Sequence, residues 1–318
     1  MPLRPPAPLP DAPLVDPALN MVSPERVSLG RMLFFDPRLS KNHDVSCNTC
    51  HLVGSYGVDH LKVSSGHKHQ MGPRNAPSIY NAAGHFVQFW DGRSPNVEHQ
   101  ATQPLVNPTE MAANDKLLVR VVESIPAYAE FFKKVFPKEQ KPVTVQNIGK
   151  AIGAYERMML TPAPWDKFLK GDDSALTNAQ KRGLNTFIGA GCLACHNGAY
   201  LGGSMYQKVG VKKPWPNQKD QGRFMITKLD ADKMMFKVPS LRNVLKTGPY
   251  FHDGETADIK VAIKMMGEYQ LGKSLSETEV QDIATFFESL TGELPANELI
   301  AMPALPLSSD KTPKPDPK

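Results

Sequence analysis

The sequence predicts a mainly α-helical protein of two domains, with long loops and little sheet. Three observations carry this prediction. The chain has 318 residues, more than one hydrophobic core ordinarily serves and enough for two. Several stretches place apolar residues at helical spacing behind recognisable caps. One short Cys/His motif occurs twice, about one domain length apart. The boundaries that follow are an extended segment 1–20, a first domain 21–165, a second domain 166–300, and a tail 301–318 that is either disordered or packed on the first domain.

Taken in order, the opening MPLRPPAPLPDAPLVDP is a proline-rich coil without the apolar core of a secretion signal. No apolar run approaches the roughly 20 residues needed to cross a bilayer. The chain therefore reads as soluble, with any export signal already removed. Residues 23–35, SPERVSLGRMLFF, form a helix with Ser23 as N-cap and Pro24 in the first turn. In 144–159, Ile148, Ile152, Tyr155 and Met159 share one helical face. Thr177 and Gln180 make a capping box ahead of a helix that turns Leu184, Phe187 and Ile188 inward. Ser276 and Glu279 repeat that box, followed by the stripe Val280, Ile283, Phe287 and Leu290, which ends near Gly292. The closing SSDKTPKPDPK is too rich in Pro and Lys to bury much apolar surface. The net charge is +5, but Lys and Arg are dispersed among acidic residues, which argues against a nucleic-acid footprint.

All 4 cysteines fall in two copies of C-x-x-C-H: Cys47-Asn48-Thr49-Cys50-His51 and Cys192-Leu193-Ala194-Cys195-His196. In this motif two thiols add across the vinyl groups of haem and the next residue, His, reaches the iron from the proximal side. The competing readings are a thioredoxin-like redox pair, a zinc site built from both C-x-x-C units, and disulfides. A redox pair does not need His at the following position twice over. A zinc ribbon keeps its knuckles within one small module. The motifs therefore predict two cytochrome c-like domains, each wrapping one covalently bound c-type haem, and assembly outside the cytoplasm, hence the periplasm. A helix leading into C-x-x-C-H and an amphipathic helix closing the domain fit the same picture.

An internal echo supports two related halves. APSIYNAAGHFVQFWDGR (76–93) aligns without gaps on VPSLRNVLKTGPYFHDGE (238–255). The alignment matches Pro77 with Pro239, Ser78 with Ser240, Asn81 with Asn243, Phe89 with Phe251, and Asp91-Gly92 with Asp253-Gly254. Trp90 stands opposite His252, so the halves differ at a position expected to face a haem.

From about Leu29 to Glu293 the sequence resembles the bacterial di-haem cytochrome c peroxidases. The segments that carry the resemblance are RMLFFDPRLS, CNTCH, GPRNAPSIYNA, QFWDGR, LKGDD, GCLACHNG, PSLRNV, GPYFHDG and QLG. The resemblance implies reduction of hydrogen peroxide to water with electrons from a small c-type cytochrome or cupredoxin, a homodimer, and a calcium ion between the domains. It makes His51 the proximal ligand of a peroxidatic N-terminal haem and His196 that of an electron-receiving C-terminal haem. Met266 matches the distal ligand of the second haem, and a His/Met pair raises the iron potential, as suits a site where electrons arrive. Met266 also lies on a helical face with Ile259 and Ile263, so a core position is the plainer alternative, and Met265 is its neighbour.

His67, in SSGHKHQMGP, matches the histidine that caps the peroxidatic iron in the resting state, with His69 a second candidate on the same loop. Glu110, in NPTEM, matches the catalytic carboxylate that moves a proton between the peroxide oxygens, and Gln100 its hydrogen-bonding companion. Trp90 matches the tryptophan between the haems, where it serves electron transfer or simply packs. Asn75, Thr247 and Pro249 match the calcium ligands; their carbonyl and amide oxygens suit a hard cation. His252 is either a propionate contact or core.

Two other functions are open to such a chain. A di-haem electron carrier with both irons six-coordinate binds no peroxide, and a distal pocket holding Glu110 and Gln100 speaks against it. The related enzyme that matures methylamine dehydrogenase has Tyr in place of the distal Met, so Met266 speaks against that.

Overall fold

The computed structural model describes residues 5–11 and 19–318. In chain order its helices are α1 (Pro24–Phe35), α2 (Cys47–Cys50), α3 (Val97–Val106), α4 (Asp115–Ser124), α5 (Pro126–Val135), α6 (Val145–Glu156), α7 (Pro164–Leu169), α8 (Asn178–Ala190), α9 (Phe224–Thr227), α10 (Ile259–Met265), α11 (Glu277–Glu288) and α12 (Asn297–Ile300). Among the described residues the sheet is one antiparallel pair, β1 (Tyr206–Lys208) with β2 (Met235–Lys237), Gln207 facing Phe236. No helix among them is long and apolar enough to cross a membrane.

Two compact units divide the described chain. The N-terminal unit draws on Pro13–Ala83, Asn96–Met159 and Pro295–Lys318; the C-terminal unit draws on Met1–Ala12, Gly84–Pro95 and Leu160–Leu294. No single cut along the sequence reproduces this partition. Residues 84–95 group with the second half because backbone bonds hold them there: Phe86 N to Gly203 O at 2.9 Å and Lys237 N to Trp90 O at 2.8 Å. Of the N-terminal segment 1–20, residues 1–4 and 12–18 lie outside the described residues. Leu9, buried, donates its amide to Asp166 at 2.6 Å in the C-terminal unit.

In the N-terminal unit α1 and α6 cross at Gly30, where a Cβ would stand 1.8 Å from the Ala151 carbonyl oxygen. Leu29, Leu33, Phe34, Ile148, Ile152 and Tyr155 fill this crossing and are fully buried. The caps follow the sequence: Ser23 accepts from Arg26 N and Thr144 from Asn147 N. Helix α6 stops at Glu156, three residues short of the predicted end, and Met159 is buried beyond it. Residues 301–318, for which both disorder and packing on the first domain were open, group with the N-terminal unit. Their polar groups find partners on that unit: Arg38 donates to Pro306 O at 2.8 Å, Ser309 Oγ to Ser124 O at 2.6 Å, and Ser124 Oγ to Thr312 Oγ1 at 3.0 Å. Hydrogen bonds thus replace the apolar burial that the composition lacks.

A buried polar network locks α3 onto α6. Gly149 and Gly153 let the helices approach, and Glu98 lies against Gly153. Arg157 grips Glu98 through Nε to Oε1 at 2.7 Å and Nη2 to Oε2 at 3.0 Å, both side chains about 6% exposed. Asn20 donates to Glu98 Oε1 at 2.9 Å and accepts from Arg26 at 2.8 Å. Beside this pair Glu156 is buried, and burial together with the negative Glu98 pushes its carboxyl up to about 8, against the pull of Arg157.

In the C-terminal unit α8 and α11 cross at Gly183, where a Cβ would meet Asp282 O at 2.0 Å. Trp165, Phe187, Val280, Ile283, Phe286 and Leu290 form the core. Both predicted capping boxes are present, at Thr177/Gln180 and Ser276/Glu279. Ile188, predicted to face inward, is instead 46% exposed. The buried face of α8 runs Gly183–Phe187–Ala190, set by the glycine crossing, and Ile188 lies a residue off that line.

Gly183→Ala gains about 1 kcal/mol of helix propensity, but overpacking against a backbone oxygen costs about 3 kcal/mol. A net loss of about 2 kcal/mol is expected in denaturant unfolding of the haem-loaded protein; unchanged stability would contradict the crossing. For Glu156 the sign follows from a folded value above the ordinary 4.5. Both states are protonated below that pH, and between about 4.5 and about 8 only the unfolded state gives up its proton readily, so stability falls as pH rises. Glu156→Gln is expected to flatten this fall, leaving the variant more stable than wild type at pH 8 by on the order of 3 kcal/mol. Parallel stability–pH curves for the two proteins would refute the assignment.

Candidate functional site

Each Cys/His motif sits at the head of a loop whose backbone is pinned in the same way. His51 Nδ1 lies 3.3 Å from Gly57 O, and His196 Nδ1 lies 3.2 Å from Leu201 O. A carbonyl only accepts, so Nδ1 carries the proton and Nε2 is left with the lone pair that a metal can take. Burial lowers the pKa of both imidazoles, favouring the neutral form that binds a metal. The two carbonyls are presented by left-handed residues, Gly57 at φ 72° and Leu201 at φ 46°.

The echoed segments buttress these loops. Ser78 Oγ donates to Tyr56 O at 2.7 Å and Ser240 Oγ to Tyr200 O at 2.6 Å. Each serine then accepts from a backbone amide two residues on, Tyr80 N at 3.0 Å and Arg242 N at 3.1 Å. Position 80 and its match 242 both reach back to the motif loop: Tyr80 OH donates to Val53 O and Arg242 Nε to Ala199 O, each at 2.6 Å. Arg242 is itself held by two 2.7 Å bonds to buried Asp166. Asn81 and Asn243, Phe89 and Phe251, and Gly92 and Gly254 all share positive φ. The bridges Gln88–Ser94 and Tyr250–Thr256 coincide in the alignment. The echo is therefore a repeat of backbone conformation as well as of letters.

The donor set fits a covalently attached haem at each motif. None of the four cysteines is in a disulfide. Burial pushes the Cys50 and Cys192 thiols up to about 11, opposite to the lowered value that a redox-active pair requires. Among the described residues no three or more His, Cys, Asp or Glu side chains are grouped as a metal site would group them.

In the N-terminal unit the structure brings His67 and Glu110 together. His67 N donates to Glu110 O at 2.7 Å, and Gly66 packs so closely that a Cβ would stand 2.2 Å from Thr109 O. His67 is buried, with its Nδ1 unpartnered, whereas His69 is exposed. Asn107, the C-cap of α3, donates through Nδ2 to Glu110 Oε1 at 2.8 Å and so orients the carboxylate. Gln100 is half-buried on α3, two residues past the clamped Glu98. Asn107, Glu98 and Arg157 were not singled out in the sequence; only the S/T/D/N preference at helix ends hinted at the first, and the ion pair spans 59 positions.

In the C-terminal unit Trp90, Met265, Met266 and Phe251 pack against buried Trp215, Met234 and Phe236. His252 is buried, stacked on Phe236 at 4.2 Å and edge-on to Trp90 at 6.3 Å. Met266 opens a π turn, Met266–Leu271, that continues α10. Such turns accompany functional sites. The Met265 sulfur is engaged by Thr256 Oγ1 at 3.5 Å. Of the three calcium candidates, Asn75 belongs to the N-terminal unit and donates to Leu61 O at 3.0 Å, while Thr247 and Pro249 lie in the C-terminal unit on either side of Gly248.

Residues 24–174 match the family described as di-haem cytochrome c peroxidase. The chain is similar to the cytochrome c551 peroxidase of Pseudomonas aeruginosa, 46% identical over 299 residues that cover 92% of this chain and 86% of that one. The cytochrome c551 peroxidase of Nitrosomonas europaea is 44% identical over 304 residues, covering 94% and 90%. Among solved structures, a MauG-like protein associated with microbial copper homeostasis superposes with a TM-score of 0.80 at 30% identity, over 93% of this chain and 97% of that one. Two haem-attachment motifs on a repeated scaffold, and identity of this extent along nearly the whole chain, lead to one conclusion: the chain belongs to the di-haem cytochrome c peroxidase family.

Proposed function

We propose that this protein reduces hydrogen peroxide to water in the periplasm with electrons drawn from a small c-type cytochrome or cupredoxin. One observation carries the reading. In the unit that bears His51, a carboxylate oriented by Asn107 is joined through its own backbone to a buried histidine with an unpartnered Nδ1. When bound there, the haem supplies the iron at which the peroxide bond is reduced. Each peroxide consumes two electrons and two protons and gives two waters. Glu110 takes a proton from the near peroxide oxygen and delivers it to the far one, and Gln100 hydrogen-bonds the bound peroxide. The Glu98–Arg157 clamp holds α3, and with it both Gln100 and Asn107, in place.

His67 serves as the removable cap of the peroxide site. Its burial, against the exposure of His69, supports the choice between the two. The loop carries two left-handed residues, Lys68 and His69, and closes on itself through Gly66 N to Gln70 O at 2.9 Å and Gly72 N to Ser64 O at 2.9 Å, while His67 N to Glu110 O and Gln70 Nε2 to Pro108 O at 3.3 Å tie it to the Glu110 segment. In the C-terminal unit His196 and Met266 would hold the haem, which would supply the iron at which electrons enter, and Trp90 would lie on the route towards the N-terminal unit. The bond from Thr256 to Met265 favours Met266 as the ligand. Asn75, Thr247 and Pro249 supply oxygen ligands for one calcium ion, and the working form is a homodimer.

The test follows peroxide-dependent oxidation of a reduced small c-type cytochrome by the haem-loaded protein, as isolated and after one-electron reduction. Turnover only after reduction supports both the peroxidase and the His67 cap; turnover in both samples removes the cap; turnover in neither, with no spectral response to peroxide, replaces the enzyme by an electron carrier. Glu110→Gln is expected to lower kcat/KM for peroxide by about 10²–10⁴-fold with haem content unchanged. Less than a threefold loss would take the proton-transfer role away from Glu110.

A further inference from the structure

Lys237, at the end of β2, is 6% exposed, yet its ammonium meets no carboxylate among the described residues. It reaches His85 Nδ1 at 3.3 Å and Val87 O at 3.2 Å, which leaves one of its three protons to give. The nearest acid, buried Asp91, acts only through space, and both its oxygens are taken by Arg93 at 2.9 and 3.1 Å. An ammonium has no lone pair, so His85 must accept at Nδ1 and carry its proton on Nε2. That Nε2 is buried and has no hydrogen-bond partner. Two donors, one of them a full charge, thus lack an acceptor, and a buried cation is stable only when an anion answers it.

The surroundings identify the anion. The His85 ring packs on the loop that follows the second motif: a Cβ on Gly203 would stand 2.3 Å from it, and Tyr200 lies edge-on at 5.5 Å. The same loop supplies the Leu201 carbonyl that holds His196. Haem attached at Cys192 and Cys195 brings carboxylates of its own into this unit. We propose that the Lys237 ammonium and the His85 Nε2–H together bind a propionate of the haem attached at Cys192 and Cys195. This rests on haem attachment at that motif and is independent of the peroxidase activity. A cation at the propionate favours the reduced state of that haem, so the pair raises the potential at which electrons arrive.

The test uses the holoprotein, with two haems per chain confirmed by pyridine haemochrome, and reads reduction potentials by spectroelectrochemistry and the propionate bending band by resonance Raman. Lys237→Met is expected to lower the potential of the C-terminal haem and shift its propionate band, leaving the N-terminal haem unmoved. Lys237→Arg restores both towards wild type. His85→Phe, which removes the second donor without burying a new charge, shifts the band in the same direction and serves if Lys237→Met fails to fold. Unchanged band and potential in the Met and Phe variants would overturn the proposal. A wild-type potential that moves with added acetate would overturn it too, assigning the pair to a free anion. A wild-type chain carrying haem only at Cys47 and Cys50 would sink the attachment on which it rests.

Discussion

An imidazole presents one nitrogen steadily to a metal only when its other nitrogen is held, and in both units that task falls to a backbone carbonyl, at 3.3 Å from His51 and 3.2 Å from His196. The carbonyl in turn needs a loop of fixed shape. That shape is imposed from a distant segment, through a serine hydroxyl on the preceding carbonyl and a longer side chain reaching the loop's start. Covalent attachment through two nearby cysteines would by itself leave the ring free to turn. The repeat of the Pro-Ser-x-x-Asn segment thus fixes the loop that follows each Cys/His motif.

On this common frame the two units differ at particular positions. Position 80 is an uncharged Tyr, whereas position 242 is an Arg whose charge is cancelled by Asp166. At 90 and 252 an indole replaces an imidazole, and both side chains lie in the C-terminal unit, each against the apolar group that includes Phe236. Buried charge is treated differently as well. The N-terminal unit pairs Arg157 with Glu98 at bonding distance, whereas Lys237 in the C-terminal unit has no such partner among the described residues.

The features legible in the sequence are those set by neighbours in sequence. The ligand and attachment positions of each motif lie within five consecutive residues, and the caps at Ser23, Thr177 and Ser276 act over three. The echo at 76–93 and 238–255 was visible because a repeated backbone needs repeated Asn and Gly at its left-handed positions. What could not be read is set by partners far along the chain. Ile188 turns outward because a glycine crossing on α8 chooses the buried face. Glu98 and Arg157, or His85 and Lys237, give no local sign of meeting, being 59 and 152 residues apart. The roles of Glu110 and Gln100 were suggested only by family resemblance, since an isolated Glu or Gln has no signature of its own.

The tail has a consequence for how the chain comes to be folded. Arg31 donates to Ala301 O and Arg38 to Pro306 O, contacts that span 270 and 268 positions, and both close the N-terminal unit. Loops of that length are slow to close, and their closure entropy is met before the contacts can repay it. Synthesis therefore reaches residues 301–306 only after the segments of the C-terminal unit have been made, and the N-terminal unit closes after them. Until residues 299–306 arrive, Tyr155 on α6 and the arginines Arg31 and Arg38 lack the carbonyls they bond, so the unit of the first motif closes after that of the second.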